Sequence, residues 1–222
     1  VNEPKEQFVK VEIGVDYGET DATSFTAFAV LAGVKGVRVP MQYWHKNGKS
    51  LGDKGVVEYA DDFFVFAAQM FARFGKPMHV LVDSAAKYFW SYLMKERARR
   101  AIGYVIIDPT DKTMKSGQKY EGVIEERIGV ANLMLGAESA DGNPFIIIDK
   151  SCHHLIKALY EAERDANGNR RDDGTTDIDS LDSFEYAWNE DIPAIEAAVL
   201  RNRGFVKNQQ QQLARDQYDK RG

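Results

Sequence analysis

Val9, Val11, Ile13 and Val15 alternate with Lys10, Glu12, Gly14 and Asp16, the two-residue period of a β-strand with one face in a core. Two further β-rich segments follow, Ser24 to Ala32 and Val37 to Tyr43, with Gly33 and Gly36 marking the turn between them. The connections are of hairpin length, too short for a crossover helix, so the three segments predict an antiparallel meander. His45 to Asp53 is polar and contains glycine, and reads as a loop. Helical and strand patterns then alternate. Val57 to Phe74 carries Tyr59, Phe63, Phe66, Ala67, Met70 and Phe74 on one side and stops at Gly75-Lys76-Pro77. His79 to Val82 is a buried strand ending in Asp83, Ala85 to Arg100 a helix, and Gly103 to Ile107 a strand closed by Asp108-Pro109. Glu121 to Leu135 is helical, Phe145 to Ile148 a last strand ending at Asp149, and Ser151 to Arg164 helical again. Three antiparallel strands followed by strand–helix alternation define an α/β chain with a mixed sheet and helices on its faces.

The chain has 222 residues, 44% of them hydrophobic, which suits one full core and is short for two. The expected division is a polar lead-in over 1–8, a domain over 9–205 and a polar tail over 206–222. The start at Val1 with a charged lead-in suggests a piece of a longer protein. No apolar run reaches membrane-spanning length, and the single Cys152 excludes an internal disulfide, so a soluble cytoplasmic protein with no membrane partner is expected. A net charge of −5 is not that of a general nucleic-acid binder. Basic patches remain, at Lys95 to Arg100, at Lys112, Lys115 and Lys119, and at Arg201, Arg203 and Lys207.

Thr176 to Trp188 is the stretch with chemistry to explain. Ile178, Leu181, Phe184 and Trp188 recur at helical spacing as an apolar stripe. Asp179 and Asp182 fall together on its flank, one turn apart and beside the core. Capping by Thr176 or Asp177 and the helix dipole account for acids in the first turn, but not for Asp182. A carboxylate pair at a core boundary is explained if a divalent cation joins it to other acids. Four strands end in aspartate: Asp16, Asp83, Asp108 and Asp149. Asp108 and Asp149 suit a turn and a cap, and Asp83 could cap the next helix. Asp16 has no such role, because it ends an interior strand that runs into a meander. Ligand crevices in open α/β sheets lie beyond the carboxyl ends of the strands, where Asp16 and Asp83 could meet Asp179 and Asp182. Carboxylates so gathered can hold two divalent cations about 4 Å apart, which activate water and stabilise the leaving oxygen of a phosphodiester.

These residues resemble the RNase H/integrase-like nucleases, and among them the nuclease domain of the large terminase subunit of tailed bacteriophages. Ile13-Gly14-Val15-Asp16-Tyr17-Gly18 resembles the first acidic strand of that superfamily, Val82-Asp83-Ser84-Ala85 the terminase Asp-Ser-Ala segment, and Asp179 to Ala187 its late acidic helix. Some terminases carry His at the position of Asp179. The resemblance covers about residues 9 to 190, also taking in the order from Lys115-Ser116-Gly117 to the loop at Ala166–Thr175. It implies an RNase H-like fold and an endodeoxyribonuclease using Mg²⁺ or Mn²⁺, two ions, on Asp16, Asp83 and Asp182, with Asp179 assisting. Lys115 and Lys119 would lie by double-stranded DNA, and Arg99 and Arg100 are further candidates for DNA phosphates. The whole protein would cut concatemeric viral DNA during packaging in the host cytoplasm, at the procapsid. Its partners would be the portal protein, the small terminase subunit and an N-terminal ATPase domain that this chain lacks.

Other readings differ in kind. A non-catalytic module of the same fold would bind DNA or portal, and a Holliday-junction resolvase would share the Asp-x-x-Asp pair. An actin-like phosphate loop at Val15 to Thr20 would need a second lobe for which this length has no room. Gly48-Lys49-Ser50 is not a P-loop, since position 43 is Tyr43. Cys152, His153 and His154 cannot close a zinc site as helix neighbours, and Cys152 reads as core. Tyr88, Phe89, Trp90 and Tyr92 read as packing, and Asp61-Asp62 as a solvated helix turn.

Overall fold

The computed structural model describes residues 4–110, 120–139, 141–164, 170–171 and 176–203. The strands are β1 (Phe8–Asp16), β2 (Ala22–Leu31), β3 (Val37–Val39), β4 (Gln42–Lys46), β5 (Met78–Val82), β6 (Val105–Pro109) and β7 (Ile146–Ile148). They form one sheet of order β6-β5-β1-β2-β3-β7, with β4 also on β2. The meander is antiparallel, while β1–β5, β5–β6 and β3–β7 are parallel, so the mixed sheet is as expected. The third segment of the meander is two strands rather than one. Pro40 has no N–H for the ladder and interrupts the segment, after which Gln42–Lys46 pairs with the other half of β2. Asp108, expected in a turn, is within β6 opposite Leu81.

Val9 was expected in the core and is 56% exposed. A register shift between Phe8 and Lys10 is the reason: it lets Phe8 and Val11 face the same core although they are an odd number of residues apart. The ring of Phe8 lies 4.9 Å from that of Phe74, so the fold takes in the last residue of the lead-in.

The helices are α1 (Val56–Phe74), α2 (Lys87–Arg99), α3 (Tyr120–Leu135), α4 (His153–Glu161), α5 (Ile178–Tyr186) and α6 (192–203). Val11, Ile13, Val15, Val80 and Val82 face α1 and α2 on one side of the sheet. Phe28, Val30, Val37 and Val39 face the other side, against Met134, Leu155, Leu181, Phe184 and Trp188. The sequence does not mark out α6 as an element, yet Ile192, Ile195, Ala198 and Val199 complete this second core. Cys152 is buried in it, with its thiol 3.7 Å from the Val39 carbonyl. Among the described residues no helix is long and apolar enough to cross a membrane.

Candidate active site

β1 is buried on both faces, and its even-numbered face is the one that meets α5. Gly14 is the point of contact: a Cβ there would lie 1.9 Å from the Ser183 carbonyl and 2.5 Å from the Ala187 nitrogen. Only glycine allows so close an approach of helix and strand. Asp16, two residues on, projects from the same face next to the N-terminal half of α5.

A buried polar network sets the rotation of α5 over the sheet. Ser183 Oγ donates to Ser24 Oγ at 2.8 Å and is 2.9 Å from Thr26 Oγ1. Gln42 Nε2 donates to Ser24 Oγ at 3.1 Å and to Ser180 Oγ at 2.9 Å, while its Oε1 accepts from the Leu155 N–H at 2.9 Å. Asp177 caps the helix by accepting from the Ser180 N–H at 3.1 Å. With Ser180 and Ser183 fixed to the sheet, Asp179 and Asp182 are carried to its carboxyl edge.

The strand-end acids meet there through register. Val15 pairs with Val82 in parallel, and the Asp83 N–H donates to the Val15 carbonyl at 3.0 Å. Val15 and Val82 share the α1/α2 face, so Asp16 and Asp83 share the opposite one, beside Asp182. Asp83 also accepts from the Ala85 N–H at 3.0 Å, a turn contact; it does not cap α2, whose N-cap is Ala86 without a side-chain hydrogen bond. Asp149 makes the equivalent contact with the Ser151 N–H, at 3.0 Å.

The electrostatics of the four acids follow from this crowding. Burial, and then the charges of Asp182, Asp179 and Asp83, hold the Asp16 carboxyl well above the usual range, with Arg127 opposing. Burial raises Asp182 as well, against Arg170 and Arg127. Asp179 is pushed up to about 6 by burial and by Asp177 and Asp21. The Tyr186 hydroxyl, next on α5, is raised by burial and by Asp182, Asp16 and Asp83. Among the described residues no three His, Cys, Asp or Glu side chains are arranged to hold a metal ion as they stand. The donors are nonetheless of the right kind. Several carboxylate oxygens around a desolvated, mutually repelling Asp16 suit a hard divalent cation, which would supply the missing positive charge.

Other predicted residues are placed elsewhere. Arg99 and Arg100 close α2 about 20 Å along its axis from the end near Asp83. There Arg99 forks onto Glu96, and Arg100 bridges Glu96 and Asp61. The structure does not bring these two arginines to the acids. Lys115 and Lys119 lie outside the described residues. Asp61 and Asp62 are not merely solvated, since Asp62 accepts from Tyr43 at 2.6 Å and from Lys54 at 2.5 Å. Phe89 packs as expected, stacked 4.3 Å from Tyr17, but Tyr88 is 71% exposed and is not packing.

Sequence reasoning missed Gly14, Gln42, Arg127 and Arg170 as parts of this site. Arg127 had a signal: it lies at helical spacing from Val130, Ala131 and Met134, a charge on the buried stripe of α3. Arg170, in a polar stretch, had none.

This architecture is the mixed α/β fold of the RNase H-like nucleases. More narrowly, the chain has the fold of large-terminase nuclease domains. No family model and no curated protein sequence matches it. Among solved structures it aligns with the P22 large terminase nuclease domain at 14% identity and a TM-score of 0.54, covering 87% of this chain and 95% of that one. The large terminase nuclease domain of bacteriophage SPP1 with bound Mn aligns at 16% identity and a TM-score of 0.53, covering 84% of this chain and 89% of that one. The large terminase of a thermophilic bacteriophage aligns at 18% identity and a TM-score of 0.56. That alignment covers 84% of this chain but 40% of the other, so the chain spans well under half of that protein.

Proposed function

We propose that this chain is a divalent-metal-dependent endodeoxyribonuclease, the nuclease part of a phage large terminase. The observation that carries the reading is Asp16, half-buried at the end of β1, with Asp83, Asp179 and Asp182 near enough for their charges to act on its carboxyl. Asp16, Asp83 and Asp182 would hold Mg²⁺ or Mn²⁺, two ions in the full complex, with Asp179 assisting. The Mn in the similar SPP1 domain supports that choice of ion. Bound there, the ions would supply Lewis acidity and charge neutralisation at a phosphodiester.

The chain's own contribution is placement. β1 and β5 fix two acids on a rigid sheet, Gly14 and the Ser24–Gln42–Ser180–Ser183 network fix α5, and burial excludes water from one side of the carboxylates. No side chain is required as a covalent nucleophile. The substrate is double-stranded DNA, with Lys115 and Lys119 as proposed phosphate contacts. In the whole protein, cutting would serve genome packaging at the procapsid in the host cytoplasm, beside an ATPase domain and with portal and small-subunit partners.

The test is supercoiled plasmid incubated with the chain in EDTA, Mg²⁺ or Mn²⁺, beside Asp182→Ala. Nicking and linearisation that need the metal and fall by about 100-fold or more in the variant are expected. Plasmid that is bound but left intact with either metal would sink the catalytic reading and favour a non-catalytic module.

A further inference from the structure

One guanidinium group holds Asp182 and a second stands beside it. Arg170 donates from Nη1 to Asp182 Oδ1 at 2.8 Å, and from Nη2 to Glu185 Oε1. Arg127 stands 3.9 Å from the same Asp182 Oδ1 and 3.3 Å from Glu185 Oε2. The side chains of Arg127, Arg170 and Glu185 are 4%, 9% and 3% exposed. The contacts of both arginines with Asp182 fall on one oxygen.

Stability does not account for such a set, because desolvating these charges offsets most of what their attraction returns. Direction does. Asp182 and Glu185, three residues apart, lie on one side of α5 and repel each other, and Arg170 spans both. Arg127 reaches them from α3, with its guanidinium 5.0 Å from the Tyr186 ring centroid. Arg170 is tied down by a backbone bridge to Arg164, and the next residue, Arg171, donates its N–H to the Glu163 carbonyl at 2.9 Å. Carboxylates that ligate metals are themselves hydrogen-bonded by groups that fix their orientation, and losing such a group typically costs 10–100-fold in metal affinity.

We propose that Arg170 is a positioning residue, with Arg127 adding positive charge beside it. By anchoring Asp182 Oδ1 and holding Glu185 beside it, Arg170 fixes the carboxylate so that its other oxygen serves a cation shared with Asp16 and Asp83. This rests on the reading of those three acids as metal ligands. A competing role, in which Arg170 takes the cation's place on Asp182, has the opposite sign: removing it would tighten binding.

The test is Mn²⁺ titration of the chain without DNA, followed by the electron paramagnetic resonance of free Mn²⁺. Arg170→Ala, Arg170→Lys, Glu185→Gln and Asp182→Asn are compared with wild type, well below each melting temperature. Asp182→Asn should lose the binding, which checks the underlying reading separately. Arg170→Ala should weaken Mn²⁺ 10-fold or more, with partial recovery in Arg170→Lys. Glu185→Gln, nearly the same shape and so expected to fold, should weaken it several-fold. If Asp182→Asn loses binding while Arg170→Ala and Glu185→Gln bind as wild type or tighter, the positioning role is wrong and the ligand reading stands. If wild type binds no Mn²⁺, or Asp182→Asn binds it equally well, both fail together.

Discussion

Glu12 lies four residues before Asp16 on the same face of β1 and has no exposed surface. The Lys10 ammonium stands 2.7 Å from its Oε1 and also reaches Asp191, at 2.9 Å, in the turn after α5. Burial, and then a side-chain hydrogen bond to Asp191 and the charge of that residue, push the Glu12 carboxyl up to about 9 from an ordinary 4.5, with Lys10 opposing. The sign follows directly. Between about pH 5 and pH 9 the unfolded chain has released this proton while the folded chain retains it, so this group makes stability fall as pH rises. Glu12→Gln should flatten that fall and be more stable than wild type at pH 8 by about 1–3 kcal/mol. Urea midpoints at pH 5, 7 and 8.5 would check it; equal slopes for the two proteins would show that Lys10 keeps Glu12 ionised.

At the scale of elements, α5 against β1 decides the site. The missing side chain at Gly14 lets the helix sit where Asp182 meets Asp16, so Gly14→Ala must push α5 off the sheet. A Cβ 1.9 Å from a backbone carbonyl leaves no flexible atom to yield. The expected loss is at or beyond the upper end of about 1–3 kcal/mol for overpacking, together with loss of metal binding. Thermal melting and Mn²⁺ titration of Gly14→Ala would measure the two. Gln42→Ala should act more gently. It leaves Ser180, Ser24 and the Leu155 N–H short of a partner each, for about 1–3 kcal/mol. A melt unchanged from wild type would mean that water substitutes for the amide. These elements differ in how well sequence revealed them. Alternation and helical spacing exposed β1, β2, α1, α5 and the strand-end acids, because those signals are local. The break at Pro40, the shift at Phe8–Lys10 and the role of α6 depend on which neighbour each segment finds. Gly14 read as an ordinary strand residue, since nothing local tells that a helix will cross there. Gln42 and Arg170 look like surface polar residues until the fold half-buries Gln42 and encloses the Arg170 side chain.

At the scale of the whole molecule, the site joins the two cores. Asp16 and Asp83 end strands whose Val15 and Val82 belong to the core with α1 and α2, whereas Asp182 rides on a helix of the other core. Without a cation, these acids repel one another across that junction, and burial strengthens the repulsion. Asp16→Asn keeps the shape and removes the central charge. In EDTA at pH 7.5 the variant should therefore melt higher than wild type, by on the order of 1–2 kcal/mol in stability. Wild type should recover the difference when Mn²⁺ is added. Saturation at 100 times Kd stabilises a one-site protein by about 2.7 kcal/mol, and a second ion adds to that. The variant should gain little, having lost a ligand. The order of the two proteins then reverses with the metal, as expected where a site is kept at the expense of stability. Calorimetry of both proteins, in EDTA and in Mn²⁺, measures all four values. A wild type that melts above Asp16→Asn even in EDTA would mean that Arg127 already neutralises the cluster, leaving a cation no charge to balance.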